Sequence, residues 1–117
     1  MADFKNKHYQ IEEFFNLVKN KQERPEHYDP SFIYSIYTKT ESLELGDQIY
    51  IGDTSNFDDN DNEIFPDFVV NNGYEYYCSD ENIQDVIDLA LRNNPNYSDA
   101  ELLQRLKYYL EKDTFLD

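Results

Sequence analysis

Phe32-Ile33-Tyr34-Ser35-Ile36-Tyr37-Thr38 is followed, after Leu43, Leu45 and the turn dipeptide Gly46-Asp47, by Gln48-Ile49-Tyr50-Ile51. These two runs decide the fold class. In the first, Phe32, Tyr34, Ile36 and Thr38 alternate with Ile33, Ser35 and Tyr37, and both sets are rich in β-branched and aromatic side chains. That composition predicts a strand covered at least partly on two faces. The second run reads as the next strand, antiparallel to the first across the Gly46-Asp47 turn. Gly52 ends it.

Upstream, Ile11, Phe14, Phe15 and Val18 recur at i, i+3, i+4 and i+7, which predicts a helix over 8–23 with Pro25 limiting its continuation. Downstream, Phe65 to Gly73 reads as a helix of one or two turns. Pro66 suits its first position, and Gly73 suits a left-handed residue just past its end. Tyr74 to Cys78 reads as a third strand. Ser79 or Asp80 then caps a helix with the stripe Ile83, Val86, Ile87, Ala90 and Leu91, which Asn94-Pro95 breaks. Ser98-Asp99-Ala100-Glu101 opens a last helix with Leu102, Leu103, Leu106, Tyr109 and Leu110 inward. No internal repeat is present. The expected architecture is α+β: one domain over 1–117, with a small, mainly antiparallel sheet packed by an N-terminal helix and two C-terminal helices.

The charge is segregated. The chain carries 25 acids against 10 Lys and Arg, a formal charge of −15. Residues 1–39 hold six of each, whereas 40–91 hold fourteen acids and no Lys, Arg or His. The densest part is Asp53-Thr-Ser-Asn-Phe-Asp-Asp-Asn-Asp-Asn-Glu63, whose one large apolar side chain is Phe57. A field of one sign steers a basic partner and repels polyanions and anionic membranes. Direct nucleic-acid binding is disfavoured, because neutralising phosphates takes clustered Lys and Arg. The converse fits: carboxylates interleaved with Tyr and Phe imitate what a nucleic-acid-binding groove expects. Tyr50, Phe57, Phe65, Phe68, Tyr74, Tyr76 and Tyr77 lie within or beside the acidic span. Most of these rings are expected in the core, Phe57 being the exception. The candidate partner-binding set is Asp53, Phe57, Asp58, Asp59, Asp61, Glu63 and Asp67.

Other chemistry finds little purchase. There is no Gly-rich phosphate loop, and G-x-S-x-G, H-E-x-x-H and C-x-x-C are absent. Cys78 is the lone cysteine, so no intramolecular disulfide forms, and it reads as a small buried apolar side chain. His8 and His27 lack companions at ligand spacing and read as surface residues. An EF-hand frame puts Asp58, Asn60 and Asn62 at positions 1, 3 and 5, but Glu63 then stands where Gly is needed and Val69 where a bidentate Glu is needed. A frame starting at Asp53 fails sooner, with Phe57 at position 5. Neither catalytic residues nor a cofactor are expected. The N-terminus has no apolar h-region, and no stretch is long enough to span a bilayer, so the expected location is the cytoplasm.

Three segments carry a resemblance: Phe65-Pro-Asp-Phe-Val-Val-Asn-Asn-Gly73, Asn82-Ile-Gln-Asp-Val-Ile-Asp-Leu-Ala90, and Leu103-Gln-Arg-Leu-Lys-Tyr-Tyr-Leu-Glu-Lys-Asp-Thr-Phe-Leu-Asp117. Over 65–117 the chain resembles small acidic bacterial immunity proteins of contact-dependent growth inhibition and related polymorphic toxin systems. The resemblance implies a non-enzymatic cytoplasmic inhibitor of the toxin domain of a cognate effector, commonly a nuclease. The alternatives are an acidic interaction module or nucleic-acid mimic without a dedicated toxin, and a calcium-binding protein.

Overall fold

The computed structural model describes residues 3–40 and 42–115. The elements are β1 (Lys7–Gln10), α1 (Ile11–Lys19), β2 (Ser35–Thr38), β3 (Gln48–Gly52), β4 (Asn56–Phe57), β5 (Glu63–Ile64), α2 (Asp67–Asn71), β6 (Glu75–Ser79), α3 (Asp80–Asn93) and α4 (Asp99–Lys112), with a 3-10 turn at Pro30–Phe32. Strands β1-β3-β2-β6 form one antiparallel sheet, and β4-β5 form a separate hairpin. The fold is α+β, as the periodicities predict.

The apolar stripes do the packing. Ile11, Phe14, Phe15 and Val18 of α1 are fully buried, together with Ile83 and Ile87 of α3 and Leu102 and Leu106 of α4. They meet Ile36, Ile49, Ile51 and Cys78 from one face of the sheet in a single core. Each such Ile, Leu or Phe contributes about 1.5–3 kcal/mol relative to exposure. Ser79 Oγ accepts the Asn82 N–H while Asn82 Oδ1 accepts the Ser79 N–H, so both ends of a capping box open α3. At the start of α4, Ser98 Oγ accepts the Glu101 N–H.

Several boundaries differ from expectation. Residues 8–10 belong to a strand, with His8 opposite Tyr50 and Tyr9 opposite Ile49, and the helix begins only where the apolar stripe does, at Ile11. It stops at Lys19 because Lys21 takes a left-handed backbone, with φ 56°, that a right-handed helix cannot include. Strand β2 starts at Ser35, not Phe32, because Asp29 caps the 3-10 turn by accepting the Ser31 N–H. Near the other end of the chain, Leu110 is 36% exposed and does not join the core. Around α2, Pro66 stands one residue before the helix, and Gly73 has the expected left-handed backbone, with φ 73°.

Candidate functional site

The acidic tract folds back on itself. Asn56 pairs with Ile64 and Phe57 with Glu63, and Asp58 turns its carboxylate inward. Oδ1 of Asp58 accepts the N–H groups of Asn60 (2.8 Å) and Asn62 (2.9 Å), and its backbone N–H donates to the Asn62 carbonyl. These backbone bonds hold the Asp58 carboxyl below its ordinary range. Asp61 occupies the left-handed region, with φ 63°, which Asp tolerates at a turn. Glu63 accepts a hydrogen bond from the Ser55 hydroxyl across the hairpin. The result is an acid-rich hairpin with a hydrogen-bonded turn and exposed side chains.

Beside it lies the sheet face that the three long helices leave open. His8 of β1, Tyr50 of β3, Tyr37 of β2 and Tyr76 of β6 are register partners in turn, so four rings cross four strands in one row. Neighbouring centroids are 5.2, 6.5 and 6.3 Å apart. Helix α2 covers part of the row: Phe68 stacks on Tyr50 at 4.4 Å, and Val69 joins Tyr37 and Tyr50 in a second small core. The Tyr37 hydroxyl donates to the Asp53 carbonyl (2.6 Å), which ties the row to the base of the acidic tract. Burial raises the Tyr37 phenol above its ordinary range, and the nearby charges of Asp53 and Glu63 raise it further.

Gly52 makes this packing possible. A Cβ there would stand 2.6 Å from Cε2 of Tyr50, whose ring is already in contact with His8, Tyr37, Phe68 and Tyr74. Gly52→Ala is therefore expected to displace the ring and lower stability by about 1–3 kcal/mol. Thermal unfolding and the ring-proton shifts of Tyr50 and Phe68 will check this. Unchanged shifts would mean that the row tolerates the methyl group.

The sequence-selected residues divide into two kinds. Asp58, though exposed, is bound into the hairpin turn, and Asp53, its side chain 65% exposed, is paired with Lys5. Phe57 (67% exposed), Asp59, Asp61, Glu63 and Asp67 are displayed on the surface. Sequence reading named Tyr50 and Tyr76 beside the acidic span but missed their alignment with His8 and Tyr37, and Tyr76, expected with most of these rings in the core, is 50% exposed. A signal was present: Ile36-Tyr37 and Ile49-Tyr50 each set an aliphatic residue beside an aromatic one, hence on opposite faces. At β6 that signal breaks down. A register shift between Ile36 and Tyr37 places Tyr76 opposite Tyr37 and Cys78 opposite Ile36, so residues two apart face opposite sides.

Other titratable groups serve the architecture. A surface groove of about 230 Å³ is lined by Glu23, Arg24, Tyr28, Asp29, Phe32, Asp80 and Gln84 among others. Its fully buried Glu23 accepts bonds from Tyr34 (2.7 Å), Gln84 (2.6 Å) and Arg24 (2.9 Å), and Arg24 also grips Asp88. Cys78 is buried, and burial pushes its thiol well above the ordinary range, which disfavours the thiolate a nucleophile needs. Among the described residues no group of three or more His, Cys, Asp or Glu side chains is arranged to hold a metal ion. None of their helices is long and apolar enough to cross a membrane.

Neither curated proteins nor solved structures give a match. One family model does match, over residues 16–117: a domain of unknown function, DUF7716. That span runs from within α1 to the end of the chain and takes in the hairpin, three strands of the ring row and all the later helices. The chain belongs to the DUF7716 family.

Proposed function

We propose that this chain is a non-enzymatic, cytoplasmic immunity protein that binds a basic toxin domain, a nuclease, and occludes the groove in which that toxin handles nucleic acid. The observation that carries the reading is the hydrogen-bonded acidic hairpin beside a partly open aromatic face. A hairpin already held by Asp58 loses less conformational freedom on binding than a floppy tract would. Its carboxylates stand in for phosphates and steer the approach of a basic surface. The resemblance of 65–117 to immunity proteins of polymorphic toxin systems agrees with this use of charge.

The test has two stages. Capture on the immobilised chain from the source organism should retain a basic protein whose nuclease activity the chain suppresses; a captured partner without such activity would overturn the reading. Kinetics then address the hairpin. Asp59→Asn, Asp61→Asn and Glu63→Gln together remove three charges while sparing the Asp58 turn. Association at low salt is expected to fall about tenfold or more, with dissociation changed less, because steering raises encounter rates by up to a hundredfold or more. Added salt should slow the wild type towards the variant as the screening length drops from about 10 Å at 0.1 M to about 3 Å at 1 M. Equal rates and equal salt slopes would refute steering by the hairpin.

A further inference from the structure

The row of rings ends differently on its two sides. At the β1 end, His8 is exposed at the surface but has three ring neighbours, Tyr50, Phe68 and Tyr74. At the β6 end, Tyr76 sits on the edge strand, half exposed, and its one ring contact among the described residues is with Tyr37. Burial holds the Tyr76 phenol above its ordinary range, and the charges of Asp80 and Glu63 lie near enough to add to that. An aromatic face bordered by carboxylates has the electrostatics of a cation seat, since the ring face and the acids attract the same charge.

Elsewhere the molecule uses the same chemistry on itself. Lys39 Nζ stands 4.8 Å from the centroid of Tyr74, and the Arg105 guanidinium lies 3.9 Å from that of Tyr97. From the half-exposed ring, its acidic border and the charge of the chain, we infer that Tyr76 seats an arginine of the basic partner, its guanidinium stacked on the phenol and turned towards Glu63 or Asp80. Arginine fits better than lysine because its planar group stacks and forks to a carboxylate at once, while an ammonium is a compact, strongly hydrated point charge. The net charge of −15 disfavours a second copy of this chain as occupant, and a nucleic-acid strand by the same repulsion. Phe57 and Ile64 of the hairpin are also exposed and offer the partner further apolar surface.

The inference rests on the reading that the partner is basic, and the two can fail separately. The probes are hexa-arginine and hexa-lysine peptides, equal in charge, titrated into the intact chain at low salt by calorimetry and by NMR of the tyrosine rings. Hexa-arginine is expected to bind about fivefold more tightly, the scale of one cation–aromatic contact, and to shift the Tyr76 ring signals. Tyr76→Leu should abolish the preference and Tyr76→Phe should keep it. Tyr28→Leu should leave it intact, although Tyr28 is the more exposed ring at 83%. Neutralising Asp59 and Asp61, which are not carboxylates of the seat, should weaken both peptides. Should both weaken on neutralisation while wild type and Tyr76→Leu show no preference, steering stands and the arginine seat falls. Should the preference depend on Tyr76 while neutralisation changes neither affinity, the seat stands and steering falls. Binding of neither peptide at millimolar concentration, or loss of the preference in Tyr28→Leu, overturns the seat at Tyr76.

Discussion

Arg24→Ala is expected to lower the stability of the fold by about 3 kcal/mol, near the bottom of the range for breaking a buried ion pair. The guanidinium donates to Glu23 through Nε at 2.9 Å and forks onto Asp88 of α3 at 2.8 and 3.0 Å. Glu23 has no exposed surface and keeps only two neutral donors, Tyr34 and Gln84, once the charge opposite it is gone. The Arg24 side chain is 20% exposed, so water reaches one end of the network and the lower figure applies. Arg24→Lys should recover only part of the loss, because one ammonium cannot hold both carboxylates in fork geometry. The uncompensated charge is the costly part, so adding Glu23→Gln to Arg24→Ala should restore stability relative to the single variant. Urea unfolding followed by circular dichroism measures all four proteins. A loss below about 1 kcal/mol with an unchanged urea slope would show that Glu23 is not held by its arginine.

The larger effect is expected at Phe14. Its ring is fully buried on α1 and packs edge-on against Tyr34 at 5.5 Å and beside Tyr9 at 5.4 Å. Phe14→Ala should cost about 3–5 kcal/mol, combining lost transfer energy with the cavity left behind. A domain of this size is stable by about 5–15 kcal/mol in total, so the variant will sit near the edge of folding. Phe14→Leu keeps most of the apolar volume and should cost less, although it gives up the ring–ring geometry. Differential scanning calorimetry separates the two. Equal melting temperatures for wild type and Phe14→Ala would mean that the core collapses around the gap without loss.

Much of the scaffold was legible in sequence because the signals concerned are local. Ile11, Phe14, Phe15 and Val18 lie on one side of a helix by spacing alone, and the same holds for Ile83, Val86, Ile87 and Ala90. Gly73 marked the left-handed residue after α2, and Ser79 and Ser98 marked helix starts. The acidic tract was legible as charge, and Phe57 as its exposed ring.

The rest depended on residues far apart in the chain. Lys7 to Gln10 carry no strand pattern of their own strength; they form β1 because β3 offers an edge to pair with. Asp58, which charge counting grouped with its neighbours, is spent on the backbone of Asn60 and Asn62, and only the folded hairpin distinguishes it from Asp59. Strand register is a property of partners, and a shift of one residue turns a side chain to the other face. The shift between Ile36 and Tyr37 puts Cys78 in the core and leaves Tyr76 at the open end of the ring row. By itself the sequence determined an α+β fold, the buried helix stripes and a negative middle stretch, since periodicity and charge are carried residue by residue. The tertiary structure alone decided which rings align and which acids remain displayed, because both follow from pairings that no short stretch contains.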